Sequence, residues 1–185
     1  INEAEVGVNN CEFNNNQAGA ILVKYDASFS SFGGNYFGIN GSFAISIFPN
    51  FAHTIIGENV FTEMGILVAN DGDLDIKGAY TWTNQGIPYT IEGGLRIGAE
   101  VPGVQLTIEP GTDFKFYEGA NFQIAYWGNH FGSLIADGTT EEPITFTSAK
   151  PAPTAGDWDG FFFYEGSSNC IINNCFINYA GDSYS

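Results

Sequence analysis

The residues best suited to chemistry in this chain are carboxylates that alternate along one short segment. Asp71, Asp73 and Asp75 stand at every second position, so on an extended strand they share one face and can ligate Ca²⁺ through oxygen. The motif is incomplete, because an EF-hand loop beginning at Asp71 needs Gly sixth and Glu twelfth, where Ile76 and Trp82 stand. A solvated acidic turn explains the same residues, so the sequence leaves Ca²⁺ binding open.

Aromatic side chains supply a second kind of candidate site. Trp and Tyr rings in Gly-rich loops present a flat apolar face with a polar tip, which suits stacking on the C–H face of a sugar ring. Tyr126 and Trp127 lie in the stretch 120–131, and Tyr80 and Trp82 form an earlier cluster. We predict these four residues as ligand contacts, with packing in the core as the alternative for each.

Catalytic chemistry finds little support in the residue types. His53 and His130 are isolated in the sequence and belong to no recognisable catalytic motif. Glu141 and Glu142 suggest an acid and a base, but neighbours on a strand point to opposite faces. A carboxylate pair assembled from distant segments stays open. We therefore predict no catalytic residue.

The composition predicts that strands and tight turns hold these side chains. The chain has 185 residues, enough for one domain, with 24 Gly and 16% aromatic residues. Only 14% of residues are charged, which is too few for the exposed faces of long helices. The net charge of −16 repels nucleic acids, and a uronic-acid polymer unless Ca²⁺ bridges the two. No apolar run is long enough for a membrane span.

The three cysteines predict no disulfide framework and no zinc site. Cys11, Cys170 and Cys175 are odd in number and form no Cys-x-x-Cys pair. A bridge between Cys170 and Cys175 requires the intervening residues to reverse sharply. Buried free thiols are the simpler interpretation.

A repeat of 24 residues determines the predicted architecture. Phe32–Phe37 (FGGNYF) matches Ile56–Phe61 (IGENVF), and Val8–Phe13 (VNNCEF) lies a further 24 residues upstream. A late copy, Ile172–Ile177 (INNCFI), repeats the first almost letter for letter. So short a period predicts one coil of a parallel β-solenoid, in which equivalent residues stack about 4.8 Å apart.

Stacking gives each repeated residue a role. Phe13, Phe37 and Phe61 are predicted to form one column of the core, while Asn35 lies over Asn59 at a bend and bonds along the stack. An antiparallel β-sandwich is the alternative, since Asn-Gly and Asp-Gly pairs also turn hairpins. A sandwich, however, gives no reason for a fixed 24-residue register.

The second half of the chain resembles a known family. The resemblance is carried by Leu106–Thr112 (LTIEPGT), Gly132–Thr139 (GSLIADGT), Glu142–Ser148 (EPITFTS) and Gly156–Gly160 (GDWDG), followed by FFFYEGSSNCIINNCFINYAG. These segments resemble the right-handed parallel β-helix proteins of the pectate-lyase-like superfamily, in particular secreted or surface-attached bacterial members. The resemblance implies the fold and an extracellular location. It implies no activity, because the motifs concerned are structural in that family.

We therefore predict one all-β domain over residues 1–185, a right-handed parallel β-helix that is a segment of a longer chain. Regular coils occupy 6–79, an irregular coil or loop 80–105, and family-like coils 106–182. The expected function is a secreted or cell-surface, non-catalytic module that displays loops and binds a glycan or a partner protein. The alternative is a fragment of a polysaccharide lyase or glycoside hydrolase whose active site lies on other coils. Further coils or a neighbouring subunit are expected to cover the strand edges at the ends.

Overall fold

The computed structural model describes residues 4–24, 27–62, 65–69, 75–126 and 128–181, which form an all-β structure of parallel sheets. Sheet A contains β1 (Ala4–Asn9) and β4 (Ala27–Gly33). Sheet B contains β2 (Glu12–Phe13), β5 (Tyr36–Phe37) and β7 (Val60–Phe61). A 3₁₀ helix, Pro49–Thr54, contacts β4 and the later segment Ala79–Trp82.

The other three sheets carry the stack through the rest of the chain. Sheet C contains β3 (Gly19–Leu22), β6 (Phe43–Ile47), β8 (Ile66–Val68), β10 (Tyr89–Ile91), β13 (Asp113–Phe116), β16 (Ile144–Ser148) and β19 (Cys175–Ile177). Sheet D contains β11 (Gly94–Ile97), β14 (Asn121–Ile124) and β17 (Gly160–Phe163). Sheet E contains β9 (Ala79–Trp82), β12 (Gln105–Ile108), β15 (Ser133–Asp137) and β18 (Ile171–Asn173).

The predicted 24-residue register is confirmed. Phe13 pairs with Phe37, and Phe37 pairs with Phe61, in parallel strands. Their rings are stacked, with centroids 4.8 Å apart at both steps. All pairings between the named strands are parallel, and the one antiparallel contact among the described residues is the isolated bridge between Ala99 and Phe131. Since a β-sandwich needs antiparallel neighbours, that alternative is wrong.

Asparagine side chains fix the bend between sheets A and B. Asn35 is almost fully buried, accepts a hydrogen bond from the Cys11 backbone N–H (3.0 Å) and donates to Asn59 Oδ1 (3.0 Å) and to the Val8 carbonyl (2.8 Å). Because the amide both donates and accepts, one residue type bonds to the repeats on either side of it. The predicted Asn35–Asn59 contact is confirmed.

The core is a set of columns that run along the stack. The inward positions of sheet C form the longest of these: Ile21, Ile45, Ile66, Tyr89, Phe114, Phe146 and Ile177. The column is aromatic at Tyr89, Phe114 and Phe146, and the spacing between paired residues varies from 21, between Ile45 and Ile66, to 32, between Phe114 and Phe146. The extra residues form loops, while the paired backbones stay in register.

Two local features add to the sequence analysis. Residues 80–105, for which the sequence predicts an irregular coil or loop, contain β10 and β11, which continue sheet C and begin sheet D. These strands have only three and four residues, and the frequent Gly and Pro residues around them obscure the alternating pattern in the sequence. The cysteines are free as predicted, but Cys11 is exposed, whereas Cys170 and Cys175 are only half-buried. Cys11 is exposed because it lies in the first layer of described strands.

Removing one ring from the aromatic column should destabilise the whole stack. Phe37→Ala deletes a side chain that is 1% exposed and stacked on both sides, so we expect a loss of about 3–5 kcal/mol in the free energy of unfolding. Tyr36→Ala, at an outward position that is 41% exposed, is the control and should cost no more than about 1 kcal/mol. Urea denaturation measures both, and equal losses would contradict the stacked column.

Candidate functional site

The outer surface of sheet D carries the side chains best arranged to bind a ligand. Arg96 pairs with Gln123 across β11 and β14, and its Nε donates to Gln123 Oε1 at 3.4 Å. The guanidinium carbon of Arg96 lies 4.6 Å from the centre of the Tyr126 ring. Tyr126 in turn meets Tyr164 edge to face, with centroids 5.4 Å apart. We call Arg96, Gln123, Tyr126 and Tyr164 the sheet D aromatic face.

Strand alternation places these residues outside. Leu95 and Ile97 on β11 point into the core, so Arg96 between them points outward. Gln123 on β14 likewise points outward, because its neighbours Phe122 and Ile124 are buried. Ala125 then takes a left-handed backbone conformation (φ 57°), which ends the strand and starts the loop that holds Tyr126. The sheet therefore fixes Arg96 and Gln123, whereas a sharp turn positions Tyr126.

Charge distinguishes this surface from most of the molecule. Arg96 is the one arginine in a sequence with five basic and 21 acidic residues. A guanidinium over a tyrosine ring gains from a cation–π interaction, and here its Nε also donates to Gln123 Oε1. Tyr164 is 38% exposed, while the other three residues of the face are half-buried. The surface thus combines an exposed tyrosine with a guanidinium that Gln123 and Tyr126 hold in place.

The predicted Ca²⁺ ligands lie mostly outside the described residues. Asp71 and Asp73 are not described, while Asp75 is half-buried and lines an open groove with Lys77, Glu100 and His130. Among the residues that the structure describes, no three His, Cys, Asp or Glu side chains are grouped closely enough to hold a metal ion. The Ca²⁺ hypothesis therefore depends on the acidic segment itself.

The four predicted aromatic contacts do not come together. Tyr126 belongs to the sheet D aromatic face, and Trp127 lies outside the described residues. Trp82 is fully buried and packs on Tyr89, with centroids 5.2 Å apart, so it shows the packing alternative. Tyr80, on the same strand, lies on sheet E.

Tyr80 has a ring partner that the sequence did not predict. Its ring lies parallel to that of His53, with centroids 3.8 Å apart and 3° between the planes. Partial burial lowers the pKa of His53, against the opposing effect of a backbone hydrogen bond at Asn50. His53 therefore covers one face of Tyr80 as a ring that favours its neutral form, and Tyr80 also packs against the buried core.

A groove on the outer surface of sheet C escaped sequence reasoning. It is lined by Ser42, Phe43, Gly65, Leu67, Thr90, Glu92 and Tyr117. Tyr117 is 49% exposed, and the backbone of Gly65 approaches the next strand so closely that a Cβ there would lie 3.0 Å from the Pro88 carbonyl oxygen. The side chains that line the groove stand at outward positions of neighbouring strands. The sequence does not show that these strands are neighbours, because the 24-residue repeat is not regular after residue 62.

A polar cluster around Asp157 has a structural role. Asp157 is 3% exposed and accepts hydrogen bonds from the Thr154 backbone N–H (2.9 Å), Ser148 Oγ (2.7 Å) and Lys150 Nζ (3.0 Å). The Thr154 backbone N–H, followed by Ser148, holds the pKa of Asp157 well below its usual range. These partners all belong to the segment between β16 and β17 or to its edge. The carboxylate therefore closes that loop.

Similarity to known proteins does not assign this chain to a family. No protein-family model matches it, and no curated protein or solved structure matches it. Within the described residues, no helix has the length and apolar character needed to cross a membrane. The function must therefore be inferred from the chain's own surfaces.

Neutralising Asp157 should weaken the fold in a pH-dependent way. A lowered folded-state pKa contributes stability above the unfolded pKa of about 3.9, and this stability is lost as the pH falls through the folded value. We expect Asp157→Asn to lower the melting temperature at pH 7, with the difference from the native chain shrinking below about pH 4. Thermal melts between pH 2 and 7 measure this. Asp113→Asn, which removes an exposed carboxylate, is the control. A difference in melting temperature between Asp157→Asn and the native chain that does not change with pH would contradict the lowered pKa of Asp157.

Proposed function

We propose that this chain is a segment of a right-handed parallel β-helix of the pectate-lyase-like superfamily, and that it acts outside the cell as a non-catalytic module that binds a neutral glycan. The parallel sheets, the aligned columns and the 24-residue register support the β-helix. The motifs between Leu106 and Gly160 support the superfamily and, through it, a secreted or cell-surface location.

The sheet D aromatic face is the observation that carries the glycan proposal. Tyr126 and Tyr164 meet edge to face, with centroids 5.4 Å apart and 88° between the ring planes. The Arg96 guanidinium lies over the Tyr126 ring and donates to Gln123 Oε1, so a guanidinium and an amide flank the rings. Aromatic rings with nearby planar polar groups suit the mixed apolar and hydroxylated surface of a sugar. The net charge of −16 favours a neutral glycan over a polyuronate.

The non-catalytic part of the proposal rests on how the acidic groups are used. Asp157, the most strongly perturbed carboxylate described, is occupied by loop hydrogen bonds. Asp159 accepts a hydrogen bond from Asn121 Nδ2 at 3.0 Å, which ties β14 to the turn before β17. Both acids therefore stabilise the backbone. The alternative to be tested is that this chain is a fragment of a lyase or hydrolase whose active site lies on other coils.

The proposal extends to the two ends of the stack. At the last layer, Phe163, Ile172 and Ile177 continue core columns and are exposed, and Ile171 and Phe176 are exposed at outward positions. Val6 and Leu22 are exposed in the first layer. Strand edges with such side chains favour pairing with another chain segment. Further coils or a neighbouring subunit are therefore expected to cover them.

Binding to an array of neutral and acidic glycans, followed by calorimetry on the best ligand, tests the site. We expect Tyr126→Ala and Tyr164→Ala each to weaken binding about tenfold, the effect of about 1.4 kcal/mol of lost stacking. Tyr117→Ala is the matched control, because that tyrosine is also exposed but lies on sheet C. If both sheet D variants still bind the glycan and Tyr117→Ala does not, the binding site is instead the groove beside Tyr117.

Product analysis separates the binding module from the enzyme. The chain is incubated with the same polysaccharides with and without Ca²⁺, and new reducing ends and unsaturated products are measured. We expect binding without turnover. Products that accumulate in proportion to the protein concentration would support the lyase or hydrolase instead.

A further inference from the structure

We infer that the groove on the outer surface of sheet C, beside Tyr117, binds an arginine side chain that a partner protein presents. This groove is separate from the sheet D aromatic face, so the inference does not rest on the glycan proposal. It gives a protein partner a place on the molecule and a stated chemistry.

The groove is small and partly apolar. Its volume is about 170 Å³, whereas pockets for drug-sized ligands have about 300–1,000 Å³. Leu67 on β8 and Thr90 on β10 are paired neighbours whose side chains point outward, and Phe43 at the start of β6 also lines the groove. The space therefore suits one long side chain.

Backbone pairing places Glu92 and Tyr117 next to each other. The Glu92 N–H donates to the Val68 carbonyl (3.1 Å), and the Tyr117 N–H donates to the Ile91 carbonyl (3.1 Å), so parallel pairing continues one residue beyond β10 and β13. Both side chains are exposed, and both line the groove and a shallow depression that shares them. A carboxylate and a tyrosine ring therefore border the same space.

The carboxylate of Glu92 is available to a ligand. Within the part of the chain that the structure describes, no side chain forms a hydrogen bond or an ion pair with it. Glu118 differs, because its Oε2 lies 3.4 Å from Lys150 Nζ. Lys115, the exposed residue that pairs with Thr90, makes no ion pair with Glu92. A bound cation therefore meets a carboxylate that the protein does not already neutralise.

These groups match the parts of an arginine side chain. Its methylene stem packs on apolar side chains such as Leu67, while its guanidinium stacks on an aromatic ring and donates two hydrogen bonds to a carboxylate. The protein's own Arg96 shows the ring contact, with its guanidinium carbon 4.6 Å from the centre of the Tyr126 ring. The net charge of −16 attracts basic partners. An uncharged sugar ring also fits the space, but it leaves the charge of Glu92 unmatched.

A pair of ligands with the same shape tests the charge requirement. Nα-acetylarginine methylamide and its citrulline analogue, in which a neutral urea replaces the guanidinium, are titrated into the isotopically labelled native chain at physiological ionic strength. We expect arginine to shift the NMR signals of the Thr90, Glu92 and Tyr117 amides. The citrulline analogue should bind about tenfold more weakly, because it lacks the charge-assisted bond to Glu92.

Variants of exposed residues locate the site, and their exposure means that they are expected to fold. Glu92→Gln and Tyr117→Ala should each weaken arginine binding about tenfold, whereas Lys115→Gln should strengthen it about twofold by removing a nearby positive charge. Glu58→Gln, at the bend beside Asn59, changes the net charge by the same amount as Glu92→Gln and should have little effect. Tyr164→Ala removes an exposed ring from sheet D and should also leave arginine binding intact.

Several results would overturn the inference. Arginine that does not bind, that shifts signals on another surface, or that binds no better than citrulline shows that the groove is not a guanidinium site. Equal losses in Glu92→Gln and Glu58→Gln show that net charge alone attracts the ligand. Methyl glucoside that binds in the groove when arginine does not shows a sugar site instead.

The same samples separate this inference from the proposed function. Each is also titrated with the best glycan from the array, for which Tyr164→Ala should weaken binding and Tyr117→Ala should not. Glycan binding without arginine binding overturns only the arginine site. Arginine binding at the groove without glycan binding overturns only the glycan proposal.

Discussion

The parallel backbone pairing between successive repeats is the constraint on which the rest of this structure depends. Once Phe37 pairs with Phe13 on one side and Phe61 on the other, the inward residues of successive repeats lie directly over one another and must pack together. Rings then pack on rings at 4.8 Å, and Asn35 bonds to Asn59 along the same direction. An isolated repeat has no partner for these groups, so stability is shared between neighbours.

The same constraint creates the candidate surfaces. Successive side chains on a strand point to opposite faces of the sheet, so each inward column has an outward column beside it. The packing of the core does not restrict the residue types of the outward columns. Arg96 beside Gln123 is such an outward pair, and the rings of Tyr126 and Tyr164 are added by the loops at the strand ends. Loops also absorb the additional residues of the later repeats, so binding groups can change while the core stays in register. The exposed last layer follows from the same geometry, since its columns lack a further layer of described residues.

The sequence was sufficient for the stack but not for the surfaces. The spacing of Phe13, Phe37 and Phe61 predicted both their contact and the parallel pairing, because a fixed period has a direct geometric meaning. Residues 80–105 were harder, since their short strands are separated by Gly and Pro and the separation between paired residues changes. Trp82 could not be assigned from type alone: the same ring suits a core or a ligand, and only its packing on Tyr89 decides. The groove beside Tyr117 joins residues from several repeats, which one-dimensional patterns do not bring together.

Pairing Tyr36→Cys with Val60→Cys, in a chain whose native cysteines are serines, tests the parallel register most directly. These residues are 41% and 56% exposed and occupy paired positions on β5 and β7. The parallel stack predicts rapid formation of one intramolecular disulfide on mild oxidation of the dilute folded chain, and none for the offset pair Tyr36→Cys with Glu58→Cys. Equal cross-linking of both pairs, or of the offset pair alone, would contradict it.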